Sequence, residues 1–91
     1  MYKVYLVSYD LNQPGQDYPR IIDAIGTFDH CQVLKSQWFV ASDKTYKEIF
    51  DYLIQFVDST DQLLVTELPQ NSEGRISPEA ISWLNAHDVP N

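Results

Sequence analysis

Apolar and polar positions along this 91-residue chain switch between a two-residue and a 3.6-residue period, and the switches mark out its elements. Residues 2–9 are apolar on both faces of an extended strand: Val4, Leu6 and Ser8 point one way, Tyr5, Val7 and Tyr9 the other. A strand covered from both sides reads this way. Residues 10–17 turn polar, with Asn12, Pro14 and Gly15 as turn formers. Asp17 can cap a helix and Pro19 fits its first turn. Tyr18, Ile21, Ile22, Ile25 and Phe28 follow at helical spacing, and Gly26 weakens or ends the last turn. Residues 30–34 and 36–41 read as two short strands joined tightly near Lys35–Ser36. One long bent strand fits nearly as well, because no glycine marks the turn. Thr45 and Glu48 have the capping-box spacing, so a second helix starts there. Its apolar face is Tyr46, Ile49, Phe50, Leu53, Ile54 and Val57. Residues 58–61 form a turn, and 62–68 a strand stopped by Pro69. Residues 69–77 are a polar loop, in which Ser77 and Pro78 open a short closing helix over about 78–87. Residues 88–91 read as a frayed end.

The resulting order is β-α-β-β-α-β. With two right-handed crossovers it closes as a ferredoxin-like α+β fold: a four-stranded antiparallel sheet, two helices on one face, and the short C-terminal helix besides. The length fits one domain over 1–91, with its core in 1–68. The first strand is apolar on both faces. The third carries Trp38 and Val40 on one face, Phe39 and Ala41 on the other. The face opposite the two helices therefore needs a cover, from the closing helix or from a second copy of the chain. A homodimer is expected, since an open face would be a large apolar patch. Six Tyr, four Phe and two Trp are more rings than a small core holds, which also points to an interface.

Charge narrows the partners. The net charge is −7 and the isoelectric point near 4.4, with six scattered basic residues, so a broad phosphate-binding surface is not encoded. A basic protein partner is electrostatically easier than duplex DNA or an anionic membrane. A local positive site remains open, because net charge describes the whole surface. One cysteine, Cys31, excludes an internal disulfide and any multi-cysteine metal site. A reducing cytoplasm is the expected compartment. No apolar run approaches the ~20 residues of a membrane span.

The segment Tyr9-Asp10-Leu11-Asn12, followed by Pro14-Gly15-Gln16-Asp17-Tyr18, resembles the small bacterial proteins known as SinR-like. Ser36-Gln37-Trp38-Phe39-Val40 does too, as does the second helix ending in Asp58-Ser59-Thr60-Asp61 before a Leu-Leu-Val strand. The likeness covers roughly residues 1–68. These proteins stand beside the CRISPR-associated small endonuclease family, whose members scaffold spacer integration, and near the VapD toxin ribonucleases. The resemblance implies a ferredoxin-like homodimer. It also implies that Asp10, at the end of the first strand, matches an aspartate tied to divalent metal (Mg2+ or Mn2+) across the dimer axis. Ser36 matches a recurring serine between the second and third strands. The acidic composition departs from the basic surface that a duplex-DNA scaffold needs, which counts against spacer integration.

Each candidate has a plainer reading beside it. Magnesium is often held by one or two carboxylates plus waters, so paired Asp10 side chains would suffice. An aspartate there can equally cap the turn leaving the strand. A calcium loop starting at Asp10 is rejected, because Pro14 and Ile21 stand at its fifth and twelfth positions. Lys35 can meet a phosphate and Ser36 orient a water; the plainer reading, an edge lysine and a turn serine, is preferred. His30 and Cys31 are adjacent on a strand and face opposite sides, so they form no dyad. His87 stands beside the frayed end, and nothing argues for its folding back. Trp38 and Trp83 suit packing better than base stacking, since no basic groove accompanies them. Asp23, Asp29, Asp43, Asp51, Asp58 and Asp61 read as solvated faces and turn caps that together could grip a basic partner.

Two functions follow. One is a metal-dependent endonuclease acting on RNA, with Asp10 on the metal and Ser36 in support. The other is a non-catalytic acidic module, an antitoxin or immunity protein binding a basic protein, with an inactive dimeric scaffold between the two.

Overall fold

The computed structural model describes residues 2–11, 18–68 and 73–87. The elements run β1 (Lys3–Asp10), α1 (Tyr18–Ile25), β2 (Asp29–Leu34), β3 (Gln37–Ser42), α2 (Tyr46–Leu53) with a 3₁₀ turn (Ile54–Phe56), β4 (Gln62–Glu67) and α3 (Pro78–Ala86). The described residues thus form a four-stranded antiparallel sheet, ordered β2-β3-β1-β4, and three α-helices. This small α+β arrangement is consistent with the ferredoxin-like class.

β1 is a central strand, paired with β3 on one side and β4 on the other. That position explains its two apolar faces. Tyr5, Val7 and Tyr9 lie opposite Val40, Trp38 and Leu63, Val65. They pack with Ile21, Ala24 and Ile25 of α1 and Ile49 and Leu53 of α2 into the main core. Inside it the Trp38 indole Nε1–H donates to the Tyr9 hydroxyl at 3.1 Å, so this buried ring serves the core. On the opposite face Val4 and Phe39 form a second cluster with Ala80 and Leu84 of α3, joined by Leu6, Cys31, Val33, Leu68, Ile76 and Trp83. The closing helix therefore does supply a cover. It covers only part of this face: α3 lies against β2, and Leu34 (52% exposed) and Leu64 (61% exposed) stay in solvent.

The caps decide where α2 and α3 begin. The Thr45 hydroxyl accepts from the Glu48 N–H at 3.2 Å, and the Glu48 carboxylate accepts from the Thr45 N–H at 2.9 Å, completing the expected capping box. The hydrogen bond from the Thr45 backbone N–H, and after it the Thr45 side chain, hold the Glu48 carboxyl below its ordinary range. Ser77 caps α3 by accepting from the Ala80 N–H at 3.2 Å, ahead of Pro78 in the first turn.

Several boundaries differ from the sequence reading. β2 and β3 flank a turn at 35–36, as expected, but Ser36 belongs to that turn and β3 starts at Gln37; the β2–β3 pairing carries a register irregularity between Gln32 and Leu34. α2 stops at Leu53, and the 3₁₀ turn that follows swings Ile54 outward; Tyr46, in the first turn, is 60% exposed. Neither belongs to the buried face, which rests on Ile49 and Leu53. The expected cap at Asp17, the turn residues 12–15, the rejected calcium loop and the frayed end at 88–91 fall outside the described residues. Among the described residues no helix is long and apolar enough to cross a membrane.

Candidate functional site

Asp10 closes β1, opposite Gln62 of β4, and is exposed. On the other flank the β1–β3 ladder ends with Ser8 opposite Gln37. One step further, the Tyr9 N–H donates to the Ser36 carbonyl at 3.1 Å. The turn carrying Lys35 and Ser36 is thereby tied to the end of β1. Two candidates far apart in sequence come to one end of the sheet, one register step from each other. Strand alternation puts Asp10 on the face of Leu6 and Ser8, away from α1 and α2.

This end of that face is the part α3 leaves open. The Gln37 amide Nε2–H donates to the Ser8 hydroxyl at 3.3 Å. Leu64 lies opposite Ser8, and Leu34 opposite Gln37. A polar pair is thus flanked by two exposed leucines, with Asp10 at the margin.

Among the described residues no hydrogen bond or ion pair engages the Asp10 carboxylate, so its oxygens are available to a ligand. The competing turn-capping role would use the backbone of 12–17, outside the described residues. Among the described residues no three His, Cys, Asp or Glu converge on a metal position. Among the described residues Asp10 stands without two further ligating side chains, which fits a magnesium-like ion if a second copy contributes its own carboxylate.

At the opposite end of the sheet a cleft of about 740 Å³ opens between the start of α2 and the α1–β2 turn. Its walls carry Asp29, Asp43, Glu48 and Asp51 against the single ammonium of Lys44, beside Phe28 and Tyr52. The Phe28 and Tyr52 rings meet edge-on at 5.8 Å, and Asp51 also meets the Lys47 ammonium at 3.4 Å. By sequence these aspartates are solvated faces and turn caps that together could grip a basic partner, and nothing local in the chain signals that they share a cleft.

The remaining candidates are structural. The His30 ring lies over Trp38 at 5.6 Å with Nδ1 2.8 Å from the Phe28 carbonyl. Cys31 packs under α3, and burial raises its thiol above the ordinary range, with the Glu79 charge adding to this. Trp83 stacks on Phe39 at 5.9 Å. His87, contrary to expectation, does fold back: it meets Asp29 at the start of β2.

No protein-family model matches the chain, and no solved structure matches it.

Proposed function

We propose that the chain is a ferredoxin-like homodimer that cleaves RNA in a divalent-metal-dependent reaction, with Asp10 of each copy holding Mg2+ or Mn2+. The observation that carries this reading is the position of Asp10: an exposed carboxylate, one register step from Ser36, at the margin of a stretch of sheet that α3 leaves uncovered. A two-fold contact of the open face with its axis beside Asp10 would bring two Asp10 side chains together. That would supply a second carboxylate beside the one Asp10 of each copy.

In this arrangement the chain's own groups divide the work. The Asp10 carboxylates hold the ion. The Ser36 hydroxyl orients the attacking water, and Lys35 in the same turn meets a phosphate oxygen. The metal, when bound, supplies positive charge against the phosphodiester. This offsets the repulsion that a chain of net charge −7 presents to RNA. The resemblance to the CRISPR-associated endonucleases and VapD ribonucleases supports the same assignment. The reaction belongs in the cytoplasm, where the lone Cys31 stays reduced.

The test is RNA cleavage by the purified chain with magnesium or manganese, beside Asp10→Ala of matched folding. The reading requires cleavage that depends on metal and disappears in the variant. Absence of cleavage by a folded dimer, or cleavage that survives the substitution, would sink it.

The acidic cleft favours a second reading, a module that docks a basic protein partner by charge complementarity. Here Asp43→Asn with Asp51→Asn would weaken capture of such a partner and flatten its salt dependence, while Asp10→Ala would leave both unchanged.

A further inference from the structure

α3 is the only described helix over the second face of the sheet, and beside buried Leu84 a polar cluster fastens its far end. His87 follows the last turn of α3. Its Nδ1 lies 2.7 Å from the Trp83 carbonyl and its Nε2 2.5 Å from the Asp29 carboxylate. Neither a carbonyl nor a carboxylate has a proton to give, so both ring nitrogens must donate, and only the imidazolium does so. Three further features favour the cation. The ring stacks on the Trp83 indole, centroids 3.8 Å apart and planes 25° from parallel, where an aromatic face attracts positive charge. It sits at a helix C-terminus, where unsatisfied carbonyls do the same. Asp29 is further fixed by the Trp83 Nε1–H, which donates to its other oxygen at 3.2 Å.

We propose that protonated His87 is a pH-operated latch, whose cation pins the end of α3 across the sheet and whose deprotonation loosens the helix, so that Val4, Phe39 and Cys31 are uncovered more often. The inference stands apart from the role of Asp10, which lies at the other end of the sheet.

Asp29 is the anion of the pair. The hydrogen bond from His87 holds its carboxyl below the ordinary 3.8; partial burial opposes this, and the Trp83 bond and the charges of His87 and His30 assist. The other titratable groups around the cluster are few. On β2 they are His30 and Cys31, and on α3 it is Glu79, about two turns from His87 and near Cys31. Across the cleft stand Asp43 and Lys44. The latch is therefore closed between the titration of Asp29 and that of His87. It opens on the alkaline side when the ring loses its proton, and on the acid side when the carboxylate gains one.

The experiment is an NMR pH titration of the full chain. It reads the ring ¹⁵N shifts of His87 together with amide exchange in α3, corrected for the intrinsic rate. The latch predicts an imidazolium pattern at neutral pH. It predicts protection of α3 that falls roughly three- to tenfold as the ring deprotonates, as expected for a half-exposed charged pair at a helix end. Asp29→Asn should lower the protection at neutral pH by a similar factor and remove its pH step, while the main-core amides stay protected. A neutral-tautomer pattern while α3 is protected would overturn the proposal, as would protection that does not follow the His87 titration.

Discussion

Leu64→Asp separates the dimer from the fold. Leu64 is 61% exposed in the single chain, so replacing it removes little burial within one copy. A surface change of this kind shifts the stability of the chain by about 0.5 kcal/mol or less. In a two-fold contact through the open end of the second sheet face the same leucine occurs twice. Burying a fully exposed leucine is worth about 1.5–3 kcal/mol, so the exposed part of Leu64 in the two copies together brings about 2–4 kcal/mol to association. Part of that gain exists only if packing at the contact is good. Two carboxylates facing each other across the axis would add repulsion and an uncompensated desolvation cost. Even the low end, about 2 kcal/mol, raises the dimer dissociation constant by roughly 30-fold. Sedimentation equilibrium across a concentration series reads that constant, and urea unfolding at a concentration where both proteins are monomeric reads stability. The expected result is a monomeric variant with an unchanged urea midpoint and, because Asp10 then lacks its counterpart, no RNA cleavage. A variant that dimerises as tightly as the parent would refute the placement of the interface. A variant that is monomeric yet cleaves RNA would refute the sharing of the metal.

Leu53→Ala, at a fully buried position of α2 in the main core, should cost about 2–5 kcal/mol and lower the melting temperature by 10 °C or more, read by calorimetry. Thr45→Ala removes the hydroxyl of the α2 capping box and should cost about 1 kcal/mol by urea unfolding, with Thr45→Ser retaining most of it. Asp29 makes stability pH-dependent on the acid side. A carboxyl held below 3.8 contributes stability that is complete above that value and is lost as pH falls through the depressed one. Asp29→Asn should flatten this limb in urea midpoints measured from pH 5 downward, and a limb identical to that of the parent would contradict the assignment.

Local chemistry made much of the fold legible. The capping box at Thr45 and the Ser77-Pro78 start needed only neighbours in sequence, and both helices begin there. The double-faced apolar run of β1 announced a central strand, and the structure pairs it on both sides. The β2–β3 turn was harder to place, because no glycine marks it and the irregularity between Gln32 and Leu34 moves the pairing by a residue. Ile54 fits a helical stripe by letter, but the 3₁₀ turn after Leu53 changes the angle per residue, so the stripe does not continue; Tyr46 stands exposed in the first turn, directly after the cap. Asp10 was visible as a carboxylate at a strand end. Its closeness to Ser36 depends on antiparallel register across β1 and β3, which spacing along the chain does not encode. The Asp29–His87 pair joins positions 58 residues apart, and its signal exists only once α3 has folded over the sheet. The aspartates of the cleft likewise come from three separate segments.

The central claim is that two copies of Asp10 form one metal site that cuts RNA. The most direct measurement is the metal-dependent cleavage rate of the chain after subunit exchange with an equal amount of Asp10→Asn. If each site needs both aspartates, only dimers with two parental copies cleave, and the activity per parental chain falls to about one half, leaving about one quarter of the dimers active. Unchanged activity per parental chain would mean that each copy works alone, and no metal-dependent cleavage by the parent would contradict the account outright.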